Sequence, residues 1–335
     1  NELDPGRNPF FEHSEAAFFL ALDDKVTVLG RICVLDNRRH NDFHQREVAF
    51  FHHFECVEDE AVAAGLFDAA FTWARARGLD TILGPKGFTP LSGQGVLVKG
   101  FDVEPAFAAV VNPPYYDAFI KQNGFRKKSE SFTGQIPMDF KLPDKVLRVT
   151  EMVKKRKGYK VVNFRTKKEL KAMLPEFKRL YTSVLVNTDT LGSFPPTSAE
   201  IDSIANQLLT FADPSLVKVV QKDDEMIGFI LAYPNVNAAL RRTKGRLFPF
   251  GWLDLFMELR RSPIIDLNGG GILPEHQGMG GNGIILTEME KVVFGGRFTR
   301  AELVQVGEEN QNMHRELKSL GITFNKSHRF YIRDL

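Results

Sequence analysis

The stretch GILPEHQGMGGNGIIL, residues 271–286, decides the fold. It holds five glycines in sixteen positions, lies between two apolar stretches and contains no lysine. A strand that runs into a glycine-rich turn and then a helix leaves several backbone N–H groups at the helix N-terminus without partners. With the positive end of the helix dipole, these groups form a site for an anion such as a pyrophosphate. The absent lysine argues against a P-loop, and the missing GxGxxG spacing argues against a dinucleotide-binding fold.

A weak internal duplication surrounds this stretch. Two apolar strands turned at Asp23 and Asp24 in the first half correspond to two strands turned at Asp223 and Asp224 in the second. In each half we then expect a further strand, a helix, a strand and a short helix that ends on glycine. The second half adds two helical segments, 167–185 and 197–211, and Thr197 with Glu200 fits a capping box in the latter.

Composition describes an ordinary globular protein. The 335 residues favour two domains, and the net charge of +2 gives no general attraction to nucleic acid. Two cysteines, Cys33 and Cys56, cannot form a disulfide framework, so we expect a cytoplasmic location. No apolar run has the ~20 residues of a membrane helix, and we therefore expect no membrane partner. Nothing in the sequence indicates the oligomeric state.

The glycine-rich stretch resembles the acyl-CoA binding motif of the GNAT superfamily of N-acyltransferases, Gln/Arg-x-x-Gly-x-Gly/Ala. Gln277 and Gly280 match the motif. Asn282 replaces the glycine or alanine at its last position, where an asparagine can still cap the helix. The resemblance implies that acetyl-CoA or another acyl-CoA binds here. The residues that it implies as cofactor contacts are Ile272, Leu273, Gln277, Gly278, Met279, Gly280, Gly281, Asn282, Gly283 and Asn310.

A second motif follows downstream. NQNMHRELKSLGI, residues 310–322, resembles N-x-x-A-x-x-L-Y-x-x-x-G-F of the same superfamily. Asn310 and Gly321 match, whereas Met313 replaces the alanine and Leu317 occupies the place of the tyrosine that often acts as general acid.

The resemblance extends over nearly the whole chain. Segments such as NPFF, NRRH, NPPYY, YPNVNAAL and GRLFPFGW are similar to those of bacterial tandem GNAT-like proteins. The implied fold is α/β, with two GNAT-like domains whose mixed, mostly antiparallel sheets are flanked by helices. Residues 1–145 would form a degenerate domain, and residues 146–335 a domain with the acyl-CoA site.

The first half lacks the cofactor loop. Its equivalent turn carries Glu58, Asp59 and Glu60 at the start of a helix, where carboxylates would repel a pyrophosphate. We expect no metal site. In a strand His52 and His53 would point in opposite directions, and His40 with His44 lie in what reads as a polar loop.

The implied reaction is attack of an amine on the thioester of acyl-CoA, and a group must accept the amine proton. Asp266 is the first candidate for this base, and Glu302 the second. With leucine at position 317, His314 and Tyr331 are the candidates for protonating the leaving group. For all four residues an ordinary structural role is the alternative.

The predicted acceptor is a small polar amine. The predicted acceptor contacts lie in loops beside aromatic residues, and they are Asn187, Asp189, Thr190, Asn235 and Asn237. Among them, Asp189 could hold an ammonium group. A protein lysine is the alternative acceptor. Two further alternatives for the whole protein are a non-catalytic CoA-binding or sensing protein and an aminoacyl or acyl transferase that does not use CoA.

Overall fold

The computed structural model describes residues 2–89, 91–137, 139–187, 194–276 and 281–335, and of residues 184–187, 274, 281, 282 and 316 the backbone alone. Within these ranges twelve strands form one sheet in the order β1-β2-β3-β4-β12-β6-β11-β10-β9-β8-β7, and β5 pairs with β12. The strands are β1 (Glu15–Leu22), β2 (Val28–Asp36), β3 (Val48–Cys56), β4 (Thr81–Gly84), β5 (Val96–Lys99), β6 (Arg126–Ile136), β7 (Tyr159–Asn163), β8 (Val217–Lys222), β9 (Glu225–Pro234), β10 (Ile264–Ile272), β11 (Arg300–Gly307) and β12 (Thr323–Asp334).

Helices cover both faces of this sheet. They are α1 (Arg38–His44), α2 (Glu60–Arg75), α3 (Tyr115–Gln122), α4 (Asp144–Lys157), α5 (Lys167–Ala172), α6 (Leu174–Asn187), α7 (Ser198–Phe211), α8 (Asn237–Thr243), α9 (Gly251–Arg261), α10 (Gly281–Phe294) and α11 (Gln311–Ser319). In the described part of the chain, no helix has the length and apolar character that crossing a membrane requires.

The predicted order of elements is confirmed in both halves. A β-hairpin, a strand, a helix and a parallel strand follow one another as β1-β2-β3-α2-β4 and as β8-β9-β10-α10-β11. The turn of the second hairpin has positive φ at Asp223 and Asp224, as a two-residue hairpin turn requires. The predicted capping box of α7 is present, with Thr197 and Glu200 bonding to each other's backbone N–H.

The two halves exchange their last strands. β6 ends the first half but pairs with β11 of the second half, and β12 ends the second half but pairs with β4 of the first. β6 and β12 also pair with each other, so the sheet is continuous across the predicted boundary at residue 145. Tyr331 of β12 is fully buried in the core of the first half, whereas Ile136 of β6 is buried in the core of the second.

Three local predictions are wrong. Residues 38–44 form α1 rather than a polar loop, because Asn37 caps the helix by accepting from the His40 N–H. The helical segment 167–185 is divided into α5 and α6 at Met173, just before Pro175, whose missing N–H suits the first turn of a new helix. The rings of His52 and His53 lie 4.1 Å apart, because φ of +48° at His53 breaks the alternation of the strand.

Candidate acyl-transfer site

An opening between β10 and β11 lies where the glycine-rich stretch begins. The parallel pairing joins Ile264–Leu267 to Arg300–Leu303, and the two strands then separate. A register shift of β10 against β9 between Leu267 and Gly269 accompanies the separation. From Gly269 to Gly271 the side of β10 that faces β11 therefore has no strand partner among the described residues.

The glycines around this opening have different structural roles. A Cβ added to Gly269 would meet nothing within 4 Å, so no packing contact requires a glycine there. A Cβ added to Gly283 would lie 2.6 Å from the Thr150 hydroxyl of α4, so Gly283 permits α4 to pack closely on α10. The face of the sheet at Gly269 is therefore open next to the backbone of β10.

Of the predicted cofactor contacts that the structure describes, Ile272 and Leu273 lie at this end of β10. The side chain of Ile272 is buried, and that of Leu273 is partly buried against the core. The backbone of Gly281 and Asn282 begins α10, whose first N–H groups have no partners within the helix. Gln277, Gly278, Met279 and Gly280 lie outside the described residues. Asn310 is exposed and caps α11 by accepting from the Met313 N–H.

Asp266 is fully buried one residue before β10 and β11 separate. Its Oδ2 accepts from the Phe107 N–H at 2.6 Å and from the Asn235 side chain at 2.9 Å, whereas its Oδ1 has no partner among the described residues. Burial raises the pKa of this carboxyl to about 7, with a smaller contribution from Glu302. A carboxyl with a pKa near neutrality and a free oxygen has the properties of a general base.

Glu302 lies directly across the β10–β11 pairing from Asp266, but it is fully engaged. The Lys326 ammonium donates to Glu302 at 2.7 Å, and Arg300 donates to the other carboxylate oxygen. Lys326 is 2% exposed, so this is a buried ion pair. The structure thus places Asp266 and Glu302, the first two predicted catalytic residues, next to each other. The carboxylate of Glu302 is the ion-pair partner of Lys326 and Arg300.

A loop of the first half closes over this cluster. The Asn235 side chain donates to the Pro105 carbonyl as well as to Asp266, and the Asn237 side chain donates to the same carbonyl at 2.8 Å. The Glu104 carbonyl accepts from Lys326 at 2.8 Å. Asn235 and Asn237, which we predicted to contact the substrate, instead join the two halves of the protein.

The other two predicted catalytic residues lie elsewhere. His314 is buried, and its Nε2 hydrogen-bonds to the Gly307 carbonyl at 2.9 Å. Tyr331 lies in the first-half core, where its hydroxyl donates to Asp117. Leu317 is 1% exposed and packs in the core of the second half.

The predicted acceptor loop is described only in part. Asp189 and Thr190 lie outside the described residues, and Asn187 is described by its backbone. The chain that follows packs on the first half. Arg39 donates to the Pro195 carbonyl at 2.8 Å, and the ring of Phe194 contacts that of His40.

An apolar cavity of about 50 Å³ lies between α5, α6, α7 and the strands β8 and β9. Tyr233 lines it and lies directly opposite Asp266 in the β9–β10 pairing, so both side chains are on the same face of the sheet. The Tyr233 hydroxyl has no partner among the described residues. The lining residues are Phe164, Leu170, Met173, Leu174, Phe177, Ala205, Leu208, Leu209, Ala212, Val217, Val219, Met226, Leu231 and Tyr233.

The N-terminus of α2 in the first half, which corresponds to that of α10, is not available to an anion. Asp59 caps α2, and its carboxylate accepts from the N–H groups of Ala61 and Val62, which a phosphate would otherwise use. Among the described residues, no three His, Cys, Asp or Glu side chains come close enough together to hold a metal ion.

Comparison with known proteins identifies the fold. No family model matches the chain. The glucosamine N-acetyltransferase region of a fungal multi-domain β-N-acetylglucosaminidase is similar over 95% of this chain and 33% of that one, with 15% identity and a TM-score of 0.57. A tandem GNAT protein of the clavulanic acid pathway is similar over 96% of this chain and 83% of that one, with 13% identity and a TM-score of 0.52. The chain has the tandem GNAT fold.

Two curated proteins are similar to this tandem GNAT chain in sequence. The protein named bacterial ceramide synthase from Caulobacter vibrioides is 28% identical over 350 residues, which cover 99% of this chain and 87% of the relative. Protein YghO of Escherichia coli is 26% identical over 71% of this chain and 60% of its own length.

Sequence reasoning missed three parts of this site. Lys326, Tyr233 and the loop 104–107 converge on Asp266 and Glu302 from strands and loops that are far apart along the chain. No local pattern marks Lys326 as buried, because its strand, TFNKSHRFYIRD, carries polar and charged residues throughout.

Proposed function

We propose that this protein transfers an acyl group from the thioester of acyl-CoA to an amine. The observation that carries the proposal is the open edge of β10 beside Asp266, a buried carboxyl with a free oxygen and a pKa of about 7. The tandem GNAT fold supports the same chemistry, because solved proteins with this fold include a glucosamine N-acetyltransferase region.

The described residues fit an acyl-CoA. Gly269 leaves the face of the sheet open next to the backbone of β10, and the backbone N–H groups at the start of α10 have no partners within the helix. Bound acyl-CoA supplies an activated carbonyl carbon and a thiolate leaving group. Backbone N–H groups of the β10 edge would donate to the carbonyl oxygens of the pantetheine arm and of the thioester and so orient the reacting carbonyl, and positioning of this kind can lower a barrier by ~7–11 kcal/mol.

Asp266 would accept the proton of the amine. Its Oδ1 has no partner within the described ranges, whereas Oδ2 is held by the Phe107 N–H and by Asn235, so the carboxyl keeps a fixed orientation. As the nitrogen bonds to the acyl carbon and the carbon–sulfur bond breaks, the amine proton passes to Oδ1. Burial raises the pKa of this carboxyl, and the hydrogen bond from the Phe107 N–H partly offsets that rise.

For the acceptor we propose an amine with a hydrocarbon chain, such as a long-chain amino alcohol. The cavity beside Tyr233, the residue paired with Asp266 in the sheet, is lined almost entirely by apolar side chains, and Asn235 and Asn237 are already engaged with the first half. The relative named bacterial ceramide synthase, which covers 99% of this chain, favours a lipid-like amine. The small polar amine that we expected from the sequence is the competing acceptor.

A product assay tests both parts of the proposal. Purified protein is incubated with acetyl-CoA or palmitoyl-CoA and with sphinganine, ethanolamine, an amino sugar or a lysine peptide, and amides are identified by mass spectrometry. We expect an amide of sphinganine, and loss of that product in Asp266→Asn but not in Asp68→Asn, whose aspartate is exposed. Amides confined to small amines or peptides would contradict the proposed acceptor.

A non-catalytic CoA-binding protein is the second candidate function. It is favoured by Leu317, which is buried at the place of the tyrosine general acid. Absence of amide from every pair of substrates, together with retained CoA binding, would support this alternative and contradict acyl transfer.

A further inference from the structure

An exposed apolar patch lies between β9 and β10. It consists of large side chains in the segment before α9 and on α9 itself, among which Phe248 is 84% exposed and Phe250 is 72% exposed. Contiguous exposed apolar residues of this size mark interaction surfaces in soluble proteins. The members of the apolar patch are Leu247, Phe248, Phe250, Trp252, Leu253, Phe256 and Met257.

The helix α9 presents its apolar side to solvent. None of its residues is buried, and Trp252, Leu253, Phe256 and Met257 occupy positions i, i+1, i+4 and i+5, which lie on one face. The opposite face carries Asp254 and Glu258, and both accept hydrogen bonds from Arg242 of α8. The polar face therefore attaches α9 to the protein, and the apolar face remains uncovered, which is the reverse of an ordinary surface helix.

Basic residues surround the apolar patch. Residues 237–261 contain six arginines and lysines against two acidic residues. The side chains of Lys244, Arg246 and Arg261 are exposed, and they form no ion pair with any residue in the described ranges. The Arg260 guanidinium lies 4.4 Å from the centre of the Phe256 ring, so positive charge also reaches the apolar face. The charge of this surface complements an anionic one.

We propose that the apolar patch docks the protein onto the surface of a membrane that contains anionic phospholipids. Aromatic and leucine side chains of an amphipathic helix insert at the boundary between headgroups and acyl chains, and nearby basic side chains bind the anionic headgroups. This contact lies on the surface and needs no helix that spans the bilayer. From the lack of a long apolar run we expected no membrane partner. That expectation concerned a membrane-spanning helix, whereas the contact proposed here is made by a helix lying on the membrane surface.

The position of the apolar patch agrees with a lipid substrate. α9 leads directly into the Ile264 end of β10, near Asp266, whereas the Ile272 end leads towards α10. The two ends of this nine-residue strand lie roughly 26 Å apart. An amine drawn from the membrane would approach Asp266 from one end, and acyl-CoA would bind from the other. Membrane binding itself does not depend on the proposed function and is measured separately from it.

Co-sedimentation of the full chain with vesicles tests the proposal. We expect binding to vesicles of phosphatidylcholine with phosphatidylglycerol that is at least about tenfold tighter than binding to phosphatidylcholine alone. The double variant Phe248→Glu/Phe250→Glu should lose this binding. The matched control Leu20→Glu/Leu22→Glu changes two exposed apolar residues of β1 by the same charge and should retain it.

Tryptophan fluorescence gives an independent measurement. The chain has two tryptophans, so Trp73→Phe leaves Trp252 of the apolar patch as the sole reporter. We expect a blue shift of its emission on addition of the anionic vesicles, since Trp252 is half-exposed in water. No binding to either vesicle, or equal loss in the β1 control, would overturn the proposal. A dimer that Phe248→Glu/Phe250→Glu dissociates, without vesicle binding, would also overturn it in favour of a second copy of this chain.

Discussion

The sequence identified Asp266 as a candidate base, but it did not predict which residues surround this carboxyl. Its place on the strand before the glycine-rich stretch made it a candidate base. Its burial depends on the Phe107 N–H, which belongs to the other half of the chain, and on Asn235 of the neighbouring segment. Contacts between residues so far apart in sequence follow from the fold, and no local pattern indicates them.

The raised pKa of Asp266 predicts how stability depends on pH. The folded protein binds the proton up to a pKa of about 7, whereas an unfolded aspartate loses it near 3.8. The protonated carboxyl therefore contributes stability that is full below pH 3.8 and is lost as the pH rises through 7.

Asp266→Asn, which stays neutral, should be more stable than the wild type at pH 8, and the difference should shrink towards pH 5. The slope is at most roughly 1.4 kcal/mol per pH unit. Denaturant unfolding at several pH values measures it, with Asp68→Asn as the exposed control. If the difference in the free energy of unfolding between Asp266→Asn and the wild type does not change with pH, burial does not raise the pKa of Asp266.

At the scale of elements, the sequence predicted most helices and strands of the second half, including the capping box of α7. It did not predict the apolar cavity, because the cavity depends on how α5, α6 and α7 pack together against β8 and β9. The uncovered face of α9 was also missed. Its spacing of apolar residues is that of an ordinary amphipathic helix, and a pattern alone does not show which side faces the protein.

The cavity predicts selectivity between amines. Ala205 of α7 is buried and lines it, so Ala205→Leu would occupy part of a space that holds roughly four water-sized groups. We expect a KM for a long-chain amine that is raised about tenfold, with little change for a short amine of the same headgroup.

Steady-state kinetics with the two amines measures this effect, and Ala61→Leu, at an exposed position of α2, is the control. An equal change of KM for both amines would indicate that the cavity does not hold the chain of the acceptor.

At the scale of the molecule, the duplication in the sequence predicted two similar halves, and the resemblance to GNAT proteins implied their fold. The exchange of β6 and β12 between the halves was not predicted. Each strand follows a short helix that ends on glycine, and nothing in its sequence indicates with which half it pairs. The difference between the halves was visible in the sequence. Asp59 caps the N-terminus of α2, whereas the sequence before α10 is rich in glycine and has no acidic residue at the helix start.

The protein should bind one acyl-CoA per chain, in its second half. Titration calorimetry with CoA measures this stoichiometry. We predict one site per chain, and ligand at a hundred times its dissociation constant should add about 2.7 kcal/mol to stability. Gly269→Val, which places a side chain on the open face of the sheet next to the backbone of β10, should abolish the heat of binding, and Gly65→Val, also in open space but on α2, should not. Two sites per chain, no binding at all, or unchanged binding in Gly269→Val would contradict the claim.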